Sequence, residues 1–343
     1  MESQFVKGDL KMKKLLALVL SLAMIFSFAA CGTENNGSNE TPSDTYTPVD
    51  INIAGIKGPT AVGMVDLMQK QEDKTAANNY NFSVFGDPQE LVGKISTGAV
   101  DIAALPTNLA ATLYKKTEGK IKVLAVNTYG VLHIVENGET VKSFADLKGK
   151  TILSTGEGSN PEYILRYVLE NNGINPDTDV TIKFVTSNDE MIAQLKTGGA
   201  QIAMVPEPAV TTAMSKIPTL RRVFDMNTEW EKITQDSALM MGCVVVRTEF
   251  LEQNPAAVKK FMEEYEASVN AVSDLEKTAS LCEKFEIIPA AAVAKKAIPN
   301  CHIAFTAGEE MKADLGGYFK VLFEANPKSI GGALPDDNFY YIP

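Results

Sequence analysis

Hydrophobic positions along this chain follow two periods, and the same order of periods occurs twice. An apolar run at 51–56 ends in a Gly-Pro-Thr turn, after which Val62, Val65, Leu67 and Met68 fall at helical spacing. A second run at 81–85 precedes a short helical pattern at 88–97 that stops at Gly98, as a C-terminal glycine stops a helix. A third run at 100–105 ends at Pro106. One hundred residues on, the order returns: a run at 151–155, Ile164, Leu165, Val168 and Leu169 at helical spacing, a run at 180–185, a helix at 188–197 ended by Gly198, and a run at 200–205 ending at Pro206. Aligned without gaps, 88–128 and 188–228 agree at 11 of 41 positions, the last of them Asn127-Thr128 and Asn227-Thr228. The same register sets 51–54 against 151–154 and Gly58 against Gly158.

Two repeats of this length predict two lobes, because a solenoid needs at least three shorter units. Strands alternating with helices predict an α/β architecture, a mostly parallel sheet in each lobe with helices on both faces. Further apolar strand material lies at 121–136 and 241–246. Asn254 and Pro255 suit a helix N-cap and first position. Helical material is then expected to about 325, with an irregular tail at 326–343. The expected first lobe is 49–140 plus 243–343 and the second is 141–242. The chain thus crosses twice between lobes and leaves a cleft between them. Ligands of such sheets bind beyond the carboxyl ends of the strands, here the turns after 56, 105, 155 and 205.

The first segment bears on compartment. From Met12 the chain reads as a secretory signal: two lysines, an apolar run from Leu15 to Ala30, then small residues. Residues 1–30 are expected to be removed, with Met12 as the initiator. Phe28-Ala29-Ala30-Cys31-Gly32 resembles the bacterial lipobox with Phe in place of the usual Leu, which makes Cys31 the expected lipidated residue. Residues 31–48 hold that cysteine and a polar tether rich in Gly, Ser, Pro and Asn. The expected location is the outer face of the cell membrane, through a lipid anchor.

Composition narrows the chemistry. The 343 residues carry a net charge of −11 and only four arginines, which excludes a nucleic-acid partner. Cys243, Cys282 and Cys301 remain beyond Cys31. Their spacing fits no zinc pattern, and they read as small buried hydrophobes, with a Cys282–Cys301 bridge as the alternative. His133 and His302 stand apart in apolar surroundings, and no nucleophile elbow, Walker loop or metal motif occurs. No catalytic residue, metal or cofactor is therefore expected.

Candidate ligand contacts come from the strand-end turns. Gly58 and Thr60 in one repeat, and Gly158, Ser159 and Asn160 in the other, put small polar residues and a proline at helix starts, where free backbone N–H groups attract anionic or carbonyl groups. Thr60, Ser159 and Asn160 serve as caps alone or as caps that also touch ligand. Thr107 and Asn108 offer a hydroxyl and an amide. Glu207 occupies the matching turn of the second repeat and either meets a ligand donor or stabilises the next helix. Thr128 and Tyr129 follow another strand, and Tyr129 stacks on a ring or packs. Lys57 reaches an anion or remains a solvated lysine. The shortage of arginine argues against a bidentate sulfonate or phosphonate clamp.

Gly58-Pro59-Thr60, Leu105-Pro106-Thr107-Asn108, the Phe144-Ala145-Asp146-Leu147-Lys148-Gly149-Lys150 element, Pro161-Glu162-Tyr163 and Pro206-Glu207-Pro208 resemble the solute-binding proteins of ABC importers. The similarity lies in the branch that holds taurine, alkanesulfonate, nitrate and thiamine-pyrimidine-precursor binders. The resemblance implies a two-lobe type II periplasmic-binding-protein fold. It also implies a monomer that captures a small polar organic solute for an ABC permease and its ATPase. A lipoprotein that presents ligand to a sensor is the alternative. The thiamine pyrimidine synthases that share the fold need a cysteine-rich stretch, which this chain lacks.

Overall fold

The structure, a computed structural model, describes residues 46–234 and 237–343. The signal segment, Cys31 and most of the tether lie outside the described residues. Eleven strands are found among the described residues: β1 (Asp50–Ile56), β2 (Asn79–Phe85), β3 (Ile102–Pro106), β4 (Ile121–Thr128), β5 (Leu132–Asn137), β6 (Thr151–Ser154), β7 (Thr181–Phe184), β8 (Ile202–Pro206), β9 (Leu220–Asp225), β10 (Gly242–Arg247) and β11 (Ile303–Ala307). They form a six-stranded sheet in the order β11-β4-β10-β3-β1-β2 and a five-stranded sheet in the order β7-β6-β8-β5-β9.

The two sheets repeat one plan. Strands β2-β1-β3 and β7-β6-β8 are parallel triplets, and an antiparallel strand then separates each triplet from β4 or β9: β10 in the first sheet, β5 in the second. The chain therefore leaves the first sheet after β4 and returns to it at β10. The strand β5 pairs with β8 and β9 although it lies within 49–140, the segment expected in the first lobe. There it fills the place between β8 and β9, antiparallel to both, and satisfies the facing hydrogen-bonding edge of each.

Pairing registers also correct the repeat. Ile53 pairs with Phe82 and Ile102, whereas Ile152 pairs with Ile182 and Ile202. The outer partners keep the hundred-residue offset while the strand between them slips by one. Val244 pairs with Ala104 and Ala125, and Ile134 with Met204 and Phe224, so β9 slips by one as well. Asn127 and Thr128 end a strand, while Asn227 and Thr228 open the helix Met226–Ile233, so their identity marks no structural equivalence.

The helices follow the apolar spacing with two departures. The first predicted helix is two, Pro59–Val62 and Val65–Glu72, parted at Gly63, where a Cβ would lie 2.8 Å from Val269 Cγ2. The expected helical run to 325 contains β11, an edge strand on β4. Pro255 opens its helix as predicted, but the Asn254 amide donates back to Phe250 O instead of capping forward. The tail is anchored: Phe339 is fully buried and Tyr341 N donates to Val123 O. A large buried cluster joins Leu105, Val126, Ile134, Trp230 and Tyr318, with each such side chain contributing about 1.5–3 kcal/mol.

Candidate functional site

The strand ends gather as the βα plan requires. A cavity of about 440 Å³ lies where β1, β3 and β4 terminate, against the start of the helix Asn160–Asn171 that follows β6. Lys57, Thr60, Asn108, Thr128, Ser159 and Asn160 line it, and all six were sequence candidates. Its apolar wall comes from Ile56, Leu109, Val131, Met241 and four prolines, Pro59, Pro88, Pro106 and Pro161. The prolines are there for a backbone reason: three stand in the first turn of their helices, where a missing N–H costs nothing. Gln89, Val131 and Met241 were missed. Gln89 follows β2, whose turn was not among the four searched, and Val131 and Met241 sit on the crossovers.

The polar groups of the lining are already held. Thr60 Oγ1 donates to Ile56 O at 3.3 Å, and Ser159 Oγ to Gly156 O at 2.6 Å. Asn127 Nδ2 donates to Thr60 O and to Tyr265 Oη, which turns its Oδ1 to accept from Thr128 Oγ1 at 3.0 Å. The Lys57 ammonium lies 3.1 Å from Glu286 on the surface. Asn160 is 4% exposed, and its Nδ2 donates to Tyr318 Oη at 3.2 Å while its Oδ1 has no protein partner.

Five candidates lie off the cavity wall. Thr107 is fully buried and its hydroxyl donates to Met240 O at 2.6 Å. Tyr129 Oη and Thr306 Oγ1 are hydrogen-bonded at 2.7 Å, which anchors the far end of the ring. The Glu207 carboxylate accepts from Thr211 N and Oγ1 and pairs with Arg222, the helix-stabilising role. Gly58 has φ 113°, and its N–H donates to Ile287 O. The Gly158 N–H, expected to be free, donates to Glu162 Oε2 at 2.8 Å. The three cysteines are buried free thiols, which overturns the Cys282–Cys301 alternative; burial pushes the Cys282 thiol up to about 12.

Both histidines lie near the crossover at Gly130, His133 in β5 and His302 just before β11. Asp225, at the end of β9, lies 3.6 Å from His302 Nε2 and 3.9 Å from His133 Nδ1, while His302 Nδ1 contacts Gly130 O. Gly130 is dictated by crowding, since a Cβ there would lie 2.7 Å from Asn227 Cβ and 2.9 Å from Leu239 Cδ2. Among the described residues no cluster of His, Cys, Asp and Glu could hold a metal ion. The Asp146 carboxylate accepts from Lys142 N and Ser143 N, so the Asp-Leu-Lys-Gly-Lys element is a folded turn and not a ligand contact.

The family model described as ABC transporter, phosphonate, periplasmic substrate-binding protein matches residues 65–283. The chain belongs to that family. A protein of Brucella abortus (strain 2308) described as a binding protein is 26% identical over 179 residues. That match takes in 52% of this chain and 53% of the relative, so the chain spans about half the length of the curated relatives it matches. Among solved structures, an ABC transporter from Parabacteroides distasonis superposes with a TM-score of 0.72 at 24% identity, covering 85% of this chain and 98% of that one. The periplasmic aliphatic sulphonate binding protein SsuA from Escherichia coli gives 0.68 at 17% identity, covering 87% and 93%. The nitrate-binding protein NrtA from Synechocystis gives 0.52 at 16% identity, covering 73% and 69%. At these identities the superpositions establish the fold, a type II periplasmic binding protein, for this member of the family.

Proposed function

We propose that the chain is the extracytoplasmic solute-binding component of an ABC importer, taking one small solute into the 440 Å³ cavity and passing it to a permease driven by an ATPase. The observation that supports this reading best is the placement of the cavity. It is walled by strand ends of the first sheet and by a helix start from the second, and the chain crosses between the sheets beside it. A site built from both sheets is one that their relative movement can open and close. Lobes divided at the crossovers, a secretory signal, a lipid anchor at Cys31 and a monomeric state complete the proposal. A sensor that only presents ligand would carry the same cavity, and the two roles separate on transport.

The test is binding followed by uptake. A solute retained through native purification should bind the purified chain, and Asn108→Ala and Asn160→Leu should each weaken it about tenfold or more, as lost buried hydrogen bonds do. Deleting the partner permease should abolish uptake of that solute, and Cys31→Ser should move the protein from membrane to soluble fraction. Unchanged binding in both cavity variants would remove the site, and uptake without the chain would remove the role.

A further inference from the structure

Three segments of the chain meet at one histidine. His302 stands just before β11 of the first sheet. Its Nδ1 lies 2.5 Å from Gly130 O, in the crossover between β4 and β5. Its Nε2 lies 3.6 Å from Asp225 Oδ2, where β9 gives way to the crossover that leads to β10. The two crossovers also touch directly, since Gly130 N donates to Asn227 Oδ1 at 3.2 Å. The cavity is next to this junction: Thr128 and Val131, on either side of Gly130, and Met241 of the second crossover line it.

Hydrogen-bond logic fixes the tautomer. A carbonyl oxygen only accepts, so Nδ1 carries the proton that meets Gly130 O. A neutral imidazole has one N–H, which leaves Nε2 with a lone pair turned toward a carboxylate oxygen. That contact repels. A proton taken from solvent onto Nε2 turns the ring into a cation with two donors, and both acceptors are already in place.

Asp225 is arranged for this. Its Oδ1 caps the helix Met226–Ile233, accepting from Asn227 N at 2.9 Å and Thr228 N at 3.4 Å. Its Oδ2 faces the two imidazoles instead, His302 Nε2 and, at 3.9 Å, His133 Nδ1. His133 is fully buried, which disfavours charge on its ring. The His302 side chain keeps 30% of its surface in solvent, so it is the ring placed to take the proton. The other charged groups around the junction have partners or lie to one side: Glu207 pairs with Arg222, Glu231 accepts from Asn227 Nδ2, and Glu310 and Asp314 lie near Tyr129.

We propose that His302 is a proton-operated tie across the junction. Neutral, it holds only Gly130; protonated on Nε2, it also pairs with Asp225 and fastens the first crossover to the second. The added donor exists only on the cation, so the tie is present in acid and lost as pH rises. A junction that stiffens in acid holds the cavity walls in their present seating and makes solute release depend on pH. That last step rests on the cavity being the binding site; the tie itself does not.

The experiment therefore needs no solute. In the full chain, with nitrogen-15 in its histidines, NMR at about pH 8 should show the neutral His302 ring protonated on Nδ1 and bare on Nε2, His133→Leu serving to assign the signals. Amide exchange at 128–133 and 225–230 is then compared between the unaltered chain and variants at one pH, so that the intrinsic pH dependence of exchange cancels. His302→Asn suits the left-handed backbone there (φ 46°) and cannot take a proton. Asp225→Asn keeps a capping oxygen and removes the charge. At about pH 5 both segments should exchange about tenfold more slowly in the unaltered chain than in either variant, the scale of one charge-assisted hydrogen bond. At about pH 8 the difference should fall below about twofold. Exchange is read locally because melting also reports the buried His133, which resists protonation and acts in the opposite sense. A ring protonated on Nε2 alone at the higher pH, or an exchange ratio that does not change with pH, overturns the tie and leaves the solute-binding reading untouched. The tautomer is measured in the unaltered chain, so it decides even where a variant fails to fold. Unchanged solute binding in the cavity variants would remove the binding reading and leave the tie.

Discussion

His133 shows how one buried side chain makes stability depend on pH. It is 1% exposed, and burial holds its imidazole below the ordinary value despite the nearby carboxylates of Asp225 and Glu207. The unfolded chain takes up a proton near pH 6.5, as model peptides do, while the folded chain resists it. Stability is then fully present above that value and declines as pH falls through it. Melting temperature should drop between roughly pH 7 and 5, and His133→Leu should flatten that slope; an equally steep slope in the variant would place the proton elsewhere. Thr107 and Glu207 show what sequence withholds at this scale. Both sit at strand ends, as the repeat implied, but the Thr107 hydroxyl is spent on Met240, 133 residues away, and the Glu207 acid on Arg222. Position along a strand is a local property, whereas the partner that consumes a polar group is set by packing.

Between elements, the decisive contacts are those that seat a crossing strand. Glu136 near the end of β5 accepts from Thr140 Oγ1 and N and from Val141 N, and pairs with Arg221 of β9. Burial alone would push its carboxyl up, but these donors outweigh it and hold the pKa below the usual range. A depressed carboxylate stabilises above its unfolded pKa and loses that contribution as pH falls through the folded value, here below about pH 4.5. Glu136→Gln keeps the shape and removes the charge, so it should cost about 1–3 kcal/mol at pH 7. In urea titrations the difference should vanish toward pH 3; a gap that persists there would mean shape, not charge, is at stake. Strands β1 to β3 and β6 to β8 were legible because their apolar runs end in turn residues, Gly or Pro in five of them and Thr186-Ser187 after β7. Strand β11 was not: five residues on a sheet edge, mostly half-buried, carry too little apolar contrast against the helices on either side. The crossing role of β5 was hidden for another reason, since its sequence fits either sheet and only the free edges of β8 and β9 select one.

Across the whole molecule, the cavity is coupled to the chain's single tryptophan. Trp230 is fully buried, its ring centroid 4.8 Å from that of Tyr167 and 5.6 Å from that of Tyr318. Tyr167 belongs to the helix that Asn160 opens, and Tyr318 holds the Asn160 amide. A run of tilted aromatic contacts therefore connects the cavity wall to both sheets' helices, because Trp230 follows β9 and Tyr318 lies in the helix after β11. A solute that engages Asn160 and draws the two walls together must change the packing around Trp230. Its fluorescence should shift on titration with the bound solute, with a midpoint equal to the calorimetric dissociation constant. The same solute stabilises only the folded chain, by roughly 2.7 kcal/mol at a hundredfold excess over that constant. Asn160→Leu should abolish the fluorescence change together with the thermal shift. A variant that kept the thermal shift and lost only the fluorescence response would show that binding occurs without closure across the two crossovers.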